Sequence, residues 1–192
     1  MKSSGPARVD PTPTPSGLEQ AGPERIAELA WGYFGDRLPE RESASKPVRE
    51  WFQRLLDVFL PVLKLPAGHH LDQLPEKAAF IFGFDPDVAR AKPGNRTVLA
   101  AESARMVLAE FAERARVHEG TVTREDFSAW IREIAAATGA GGNELLDPVR
   151  IALTGSLAGP RIDKLLSIVE DPAARDLGVP CVRERIERFV GV

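Results

Sequence analysis

Arginine and lysine near expected helix ends are the side chains of this chain with the most chemistry to offer, and that chemistry is the binding of anions. In Gly159-Pro160-Arg161 and Lys164, two cations stand at the start of an expected helix, where free backbone N–H groups also attract negative charge. Pro160 removes one of those donors, so a phosphate there would depend more on side chains. Arg150, three residues past Asp147, has two readings. Its guanidinium fork either anchors a helix corner by pairing with a cap carboxylate or other local groups, or reaches outward to a base or phosphate. Thr154 and Gly155 divide the same way, between closing a helix and admitting an RNA backbone. A further basic set, Arg175, Arg183, Arg185 and Arg188, is interleaved with Glu170, Asp171, Asp176, Glu184 and Glu187 and reads as a solvated helix face.

Bond-making chemistry finds no support. His69-His70 would point in different directions on a helix, with no Cys or third His beside them, so no metal is expected. His118, at the end of a long helix, meets terminal carbonyls. Gly139-Ala140-Gly141-Gly142 follows a helix instead of a strand and lacks the Lys-Ser or Lys-Thr ending of a phosphate loop; it reads as a connector. Ser128, Ser156 and Ser167 stand in no nucleophile-elbow sequence. Cys181 is the one cysteine, which excludes an intramolecular disulfide and a cysteine zinc cluster. No cofactor is expected either.

The elements that must position the cations are helical. Asp147 can cap a helix with Pro148 in its first turn and a left-handed end at Gly155, and Gly159-Pro160 starts another at once. Two helices should therefore meet at a tight corner. Upstream, Pro23-Glu24 opens a helix bearing Ile26, Leu29, Ala30, Tyr33 and Phe34, and Ser45-Lys46-Pro47 opens one bearing Trp51, Phe52, Leu55, Leu56 and Phe59, which Pro61 ends or kinks. Asp85-Pro86 starts a short helix, and Pro93-Gly94-Asn95 predicts a turn before a helix from about Thr97 to Val117 with Met106, Val107 and Phe111 buried. Thr123-Arg124-Glu125-Asp126 resembles a capping box ahead of Phe127, Trp130, Ile131 and Ile134, closed at Gly139. Further helices begin near Pro160 and Pro180. With no run of alternating polarity, the expected class is all-α.

Length and charge bound the rest. The 192 residues, 43% apolar, can bury a real core. No apolar run reaches the roughly 18 residues of a membrane span, and the N-terminus lacks a basic then apolar segment, so a cytoplasmic home is the default. Residues 1–21, rich in Pro and Thr, are expected to form a disordered arm or linker. A net charge of −3 gives no general attraction for nucleic acid, so any such binding needs a local basic face.

The stretch Asp147-Pro148-Val149-Arg150-Ile151-Ala152-Leu153-Thr154-Gly155, followed by Gly159-Pro160, resembles a segment of the C-terminal anticodon-binding region of bacterial glutamyl-tRNA synthetases. In that class I family the segment reads Pro-Leu-Arg-x-Ala-x-Thr-Gly, with a Gly-Pro or Ser-Pro step after it. Leu74-Pro75-Glu76-Lys77-Ala78-Ala79-Phe80-Ile81-Phe82 resembles an upstream stretch of the same region, in the right order and at about the right distance. The resemblance implies two packed helical bundles, here 22–120 and 121–192, that bind a tRNA resembling tRNA-Glu and read unstacked anticodon bases. It carries over contacts at Arg150, Thr154, Gly155, Gly159 and Pro160, to which Arg161 and Lys164 are electrostatic additions. The family's activity, glutamate-tRNA ligation, needs a His-Ile-Gly-His-like motif and a Lys-Met-Ser-Lys-Ser-like loop, and neither occurs here. The implied role is a non-catalytic tRNA-binding module standing alone. The alternatives are the tRNA-binding half of a split ligase with a separate catalytic chain, or a protein-interaction adaptor or regulatory paralogue. One departure stands out: Pro66-Ala67-Gly68-His69-His70 replaces the Arg or Lys that the family usually carries ahead of Leu71 to Lys77, with Lys64 the nearest strong base. Lost or altered discrimination of the cognate anticodon is the expectation.

Overall fold

The computed structural model describes residues 22–63 and 71–191. The expected arm at 1–21, His69-His70 and the departure at 66–70 with Lys64 lie outside the described residues. Among those described, twelve α-helices and three short 3-10 turns occur without a strand, so the class is all-α as the sequence predicts. None of these helices is long and apolar enough to cross a membrane.

Helix α1 (Pro23–Tyr33) buries Ile26, Ala30 and Trp31. Trp31 also donates its indole N–H to the Pro39 carbonyl at 2.9 Å, whereas Tyr33, expected inside, is 40% exposed. In α2 (Lys46–Phe59) the expected stripe of Trp51, Phe52, Leu55, Leu56 and Phe59 is buried, Ser45 caps the start, and a 3-10 turn replaces the helix from Leu60. Two single turns, α3 (Leu74–Lys77) and α4 (Ala79–Phe82), lead to α5 (Pro86–Ala91), where Asp85 accepts the N–H groups of Asp87 and Val88. The helix expected from Thr97 is two: α6 (Pro93–Leu99) and α7 (Glu102–Val117), broken where Ala101 turns extended. The break re-aims the stripe, so Val107 and Phe111 are buried while Met106 is 43% exposed. Asn95 is no turn residue but a buried one, its amide satisfied by the carbonyls of Ala89 and Gly155.

Helix α8 (Arg124–Thr138) starts in the expected box: Thr123 and Asp126 exchange side-chain and backbone bonds at 3.1 and 2.9 Å, and Gly139 closes the helix at φ 72°. Helix α9 (Asn143–Thr154) begins four residues before the expected cap at Asp147, so Pro148 lies inside it. Burial of Leu145, Pro148 and Val149 holds that turn in the core and offsets the one backbone bond that proline forgoes. The chain ends in α10 (Ile162–Val169), α11 (Pro172–Asp176) and α12 (Val182–Val190). Helix α7 packs on α8, α9 and α12, while α2 packs on α10 and α11, and the buried apolar side chains form one continuous cluster. Trp51 links the latter group by donating to the Ile168 carbonyl at 2.9 Å.

Candidate nucleic-acid interface

The corner between α9 and α10 is built from its carbonyls outward. Gly155 ends α9 at φ 71°, its N–H on the Ile151 carbonyl at 2.8 Å. A Cβ here would adopt a strained backbone and sit 3.3 Å from Ala89 Cβ, so this position needs glycine. The Gly155 carbonyl, left free by the turn, accepts Lys92 Nζ at 2.8 Å and Asn95 Nδ2 at 3.1 Å. Buried Thr154 keeps its hydroxyl 2.8 Å from the Arg150 carbonyl and accepts the Ser156 N–H at 3.2 Å. Gly159 is exposed and Pro160 buried. Arg150, half-buried, donates to the Pro160 carbonyl at 2.8 Å and so ties α9 to the segment entering α10. That helix starts two residues later than expected, at Ile162 instead of Pro160: Arg161 is the N-cap, not a first-turn residue.

The candidate residues fall on three grooves. Thr154, Gly155, Gly159 and Pro160 line the first, of about 620 Å³, together with Glu76, Lys77 and Phe80 from the upstream landmark. Two segments that are some seventy residues apart in the chain thus share one concavity. Arg150 and Arg161 line a second groove of about 470 Å³, and Lys164 a third of about 640 Å³; Arg124 and Asp163 border both. Arg161 is not free. It holds Asp163 through two bonds of 2.9 and 3.0 Å, and Arg124 reaches the same carboxylate at 3.1 Å. Burial alone would raise the Asp163 carboxyl, but the bonds from Arg161 and the two guanidinium charges outweigh it and hold the group below the usual aspartate range.

The residue that joins the landmarks is Arg185, placed by its sequence neighbourhood on a solvated face and in fact wholly buried. Nε donates to Pro180 at 2.8 Å, Nη1 to Phe80 at 2.9 Å and Leu153 at 3.0 Å, and Nη2 to Ile81 at 2.7 Å, all through backbone carbonyls. Its guanidinium also lies 5.4 Å from the Phe84 ring centre. Burial, and then repulsion from Arg188, lowers its pKa to about 10, which leaves it charged at neutral pH. A signal for this was in the spacing: 185 falls on the same helical stripe as 182, 186 and 189, all buried. Glu170, grouped with the diluting acids, is buried too and accepts the N–H groups of Val122 at 3.1 Å and Val182 at 2.8 Å. The Cys181 thiol is pushed up by burial, which keeps it protonated and a poor nucleophile.

A family model described as an anticodon binding domain matches residues 26–189. Over 155 residues the chain is 28% identical to glutamate-tRNA ligase 2 of Syntrophus aciditrophicus, covering 80% of this chain and 29% of that protein. A shorter match, 43% over 51 residues, links it to glutamate-tRNA ligase 1 of Rickettsia typhi, with 27% of this chain and 11% of the relative covered. The fold is similar to that in the crystal structure of a glutamate tRNA ligase from Elizabethkingia meningosepticum in complex with its amino acid. That likeness has a TM-score of 0.53 at 16% identity, over 91% of this chain and 31% of the other. The chain therefore spans less than a third of each of these proteins. With nearly every described residue inside the bounds of the matching model, the chain belongs to the anticodon binding domain family.

Proposed function

We propose that this chain binds tRNA at the corner between α9 and α10, without chemistry of its own. Arg150, Thr154, Gly155, Gly159 and Pro160 shape the contact, and Arg161 with Lys164 supplies cations at its edge. The observation that carries this reading is the meeting of Lys77 and Phe80 with Thr154, Gly155 and Pro160 around one groove. A ring-bearing concavity, with Lys77 and Lys92 balanced by Glu76 and Asp85, suits unstacked bases and leaves phosphate contacts to the cations at its edge. The overall charge of −3 makes such binding local and therefore sensitive to salt. On this proposal the partner is a tRNA resembling tRNA-Glu and the setting is the cytoplasm. Ligation of glutamate would require catalytic residues from elsewhere, on a separate chain in the split-enzyme form of the proposal.

Gel-shift titration with tRNA-Glu and an unrelated tRNA tests the reading. The expected result is weak binding that weakens further with salt, and a shallower salt slope for Arg161→Ala with Lys164→Ala. Equal absence of binding to both tRNAs at low salt would reject it.

A further inference from the structure

The groove between α8 and the start of α10 gathers more cations than the corner uses. Arg124, Arg132, Arg150 and Arg161 surround an apolar floor that includes Phe127, Ile131 and Ile162, and Asp163 is the one carboxylate lining the same space. That carboxylate holds Arg124 and Arg161 together, while Arg132 makes no ion pair among the described residues. The partners differ in freedom. The Asp163 side chain is 14% exposed, whereas those of Arg161 and Arg124 are 75% and 60% exposed. The guanidinium groups can swing toward solvent at small cost, and the carboxylate cannot follow. Forked cations above an apolar floor are suited to a nucleotide, whose ring packs below while its phosphodiester takes the forks.

We infer that Asp163 is a resident competitor at this groove, which a phosphodiester of bound RNA displaces from Arg124 and Arg161. The inference rests on the tRNA reading above and adds three residues to it, Arg124, Arg132 and Asp163. Binding here is an exchange of one anion for another. Separating the arginines from Asp163 subtracts from what the phosphate gains, so the native carboxylate holds affinity down and raises the demand for a correctly placed ligand.

The test measures tRNA and polyuridylate binding by the full chain across a salt series. Asp163→Asn is expected to tighten tRNA binding about three- to tenfold at low salt and to steepen the log–log salt slope by about 1.4, from two released contacts at about 0.7 each on single strands. Adding Arg124→Gln should return about half of that slope change. Arg132→Gln, at an exposed position, is expected to weaken native binding about threefold. Equal or weaker binding by a folded Asp163→Asn protein overturns the inference, as does an Arg132→Gln protein of native affinity. A native protein that binds neither tRNA rejects the function proposed above. The polyuridylate arm still decides this inference, since a rim released by Asp163→Asn must hold that polymer, and failure to hold it overturns the competitor role.

Discussion

Arginine does opposite things at the two ends of the α9–α10 corner. At Arg185 the guanidinium is sealed inside, paired with four backbone carbonyls and no carboxylate, and its job is to fasten segments together. At Arg124 and Arg161 it lies in solvent and shares one aspartate. The difference teaches that charge alone does not mark a binding residue. On the proposed reading, what marks it is whether the partner can be exchanged: backbone carbonyls of a core offer no alternative, while a carboxylate at a groove's rim can be traded for a phosphate.

The sharpest way to break the comparison is at the sealed end. Arg185→Met should cost about 3–5 kcal/mol in urea unfolding, because it strands carbonyls at Phe80, Ile81, Leu153 and Pro180 in the core. Arg185→Lys should recover only part, since an ammonium cannot reproduce the fork. A loss under 1 kcal/mol for Arg185→Met would show the clamp to be ornamental. Next in size is Gly155→Ala, expected to cost about 1–3 kcal/mol by the same measurement, from the left-handed backbone and the 3.3 Å approach to Ala89. Glu170→Gln should cost about 1–2 kcal/mol, because a neutral amide oxygen is a poorer acceptor for the Val122 and Val182 N–H groups.

The smallest effect belongs to the exchangeable end. The folded Asp163 carboxyl titrates below its ordinary 3.8, so its contribution to stability is complete above that value and is lost as pH falls through the lower folded one. Asp163→Asn should therefore lower stability by under about 1 kcal/mol at neutral pH and leave it unchanged in acid, where the native carboxyl is protonated, which flattens the acid limb of the stability-versus-pH curve. An unchanged acid limb would mean that the Arg124 and Arg161 pairs contribute nothing to folding.

Local punctuation was legible wherever one residue decides a backbone outcome. Ser45, Asp85 and Thr123 cap helices because their oxygens reach free N–H groups, and Gly139 and Gly155 end helices left-handed because a side chain there is strained. What failed depended on burial. Pro148 reads as a helix start, yet packing of its neighbours keeps it within α9. The break at Ala101 carries no Pro or Gly and follows from how α6 and α7 must each pack. At the candidate interface the sequence named the corner and its exposed cations. It could not reveal that Asp163 occupies Arg161, since that depends on two side chains turning toward each other at a helix start. Arg185 was missed because its charge outweighed its register.

One tie has an effect in time as well as in space. Phe80, Ile81 and Leu153 leave the ribosome well before residue 185, and the carbonyls they contribute have no guanidinium to meet until then. The groove that joins the two landmarks is thus completed late in synthesis, so a nascent chain stalled short of Arg185 would carry its parts without this clamp to hold them in place.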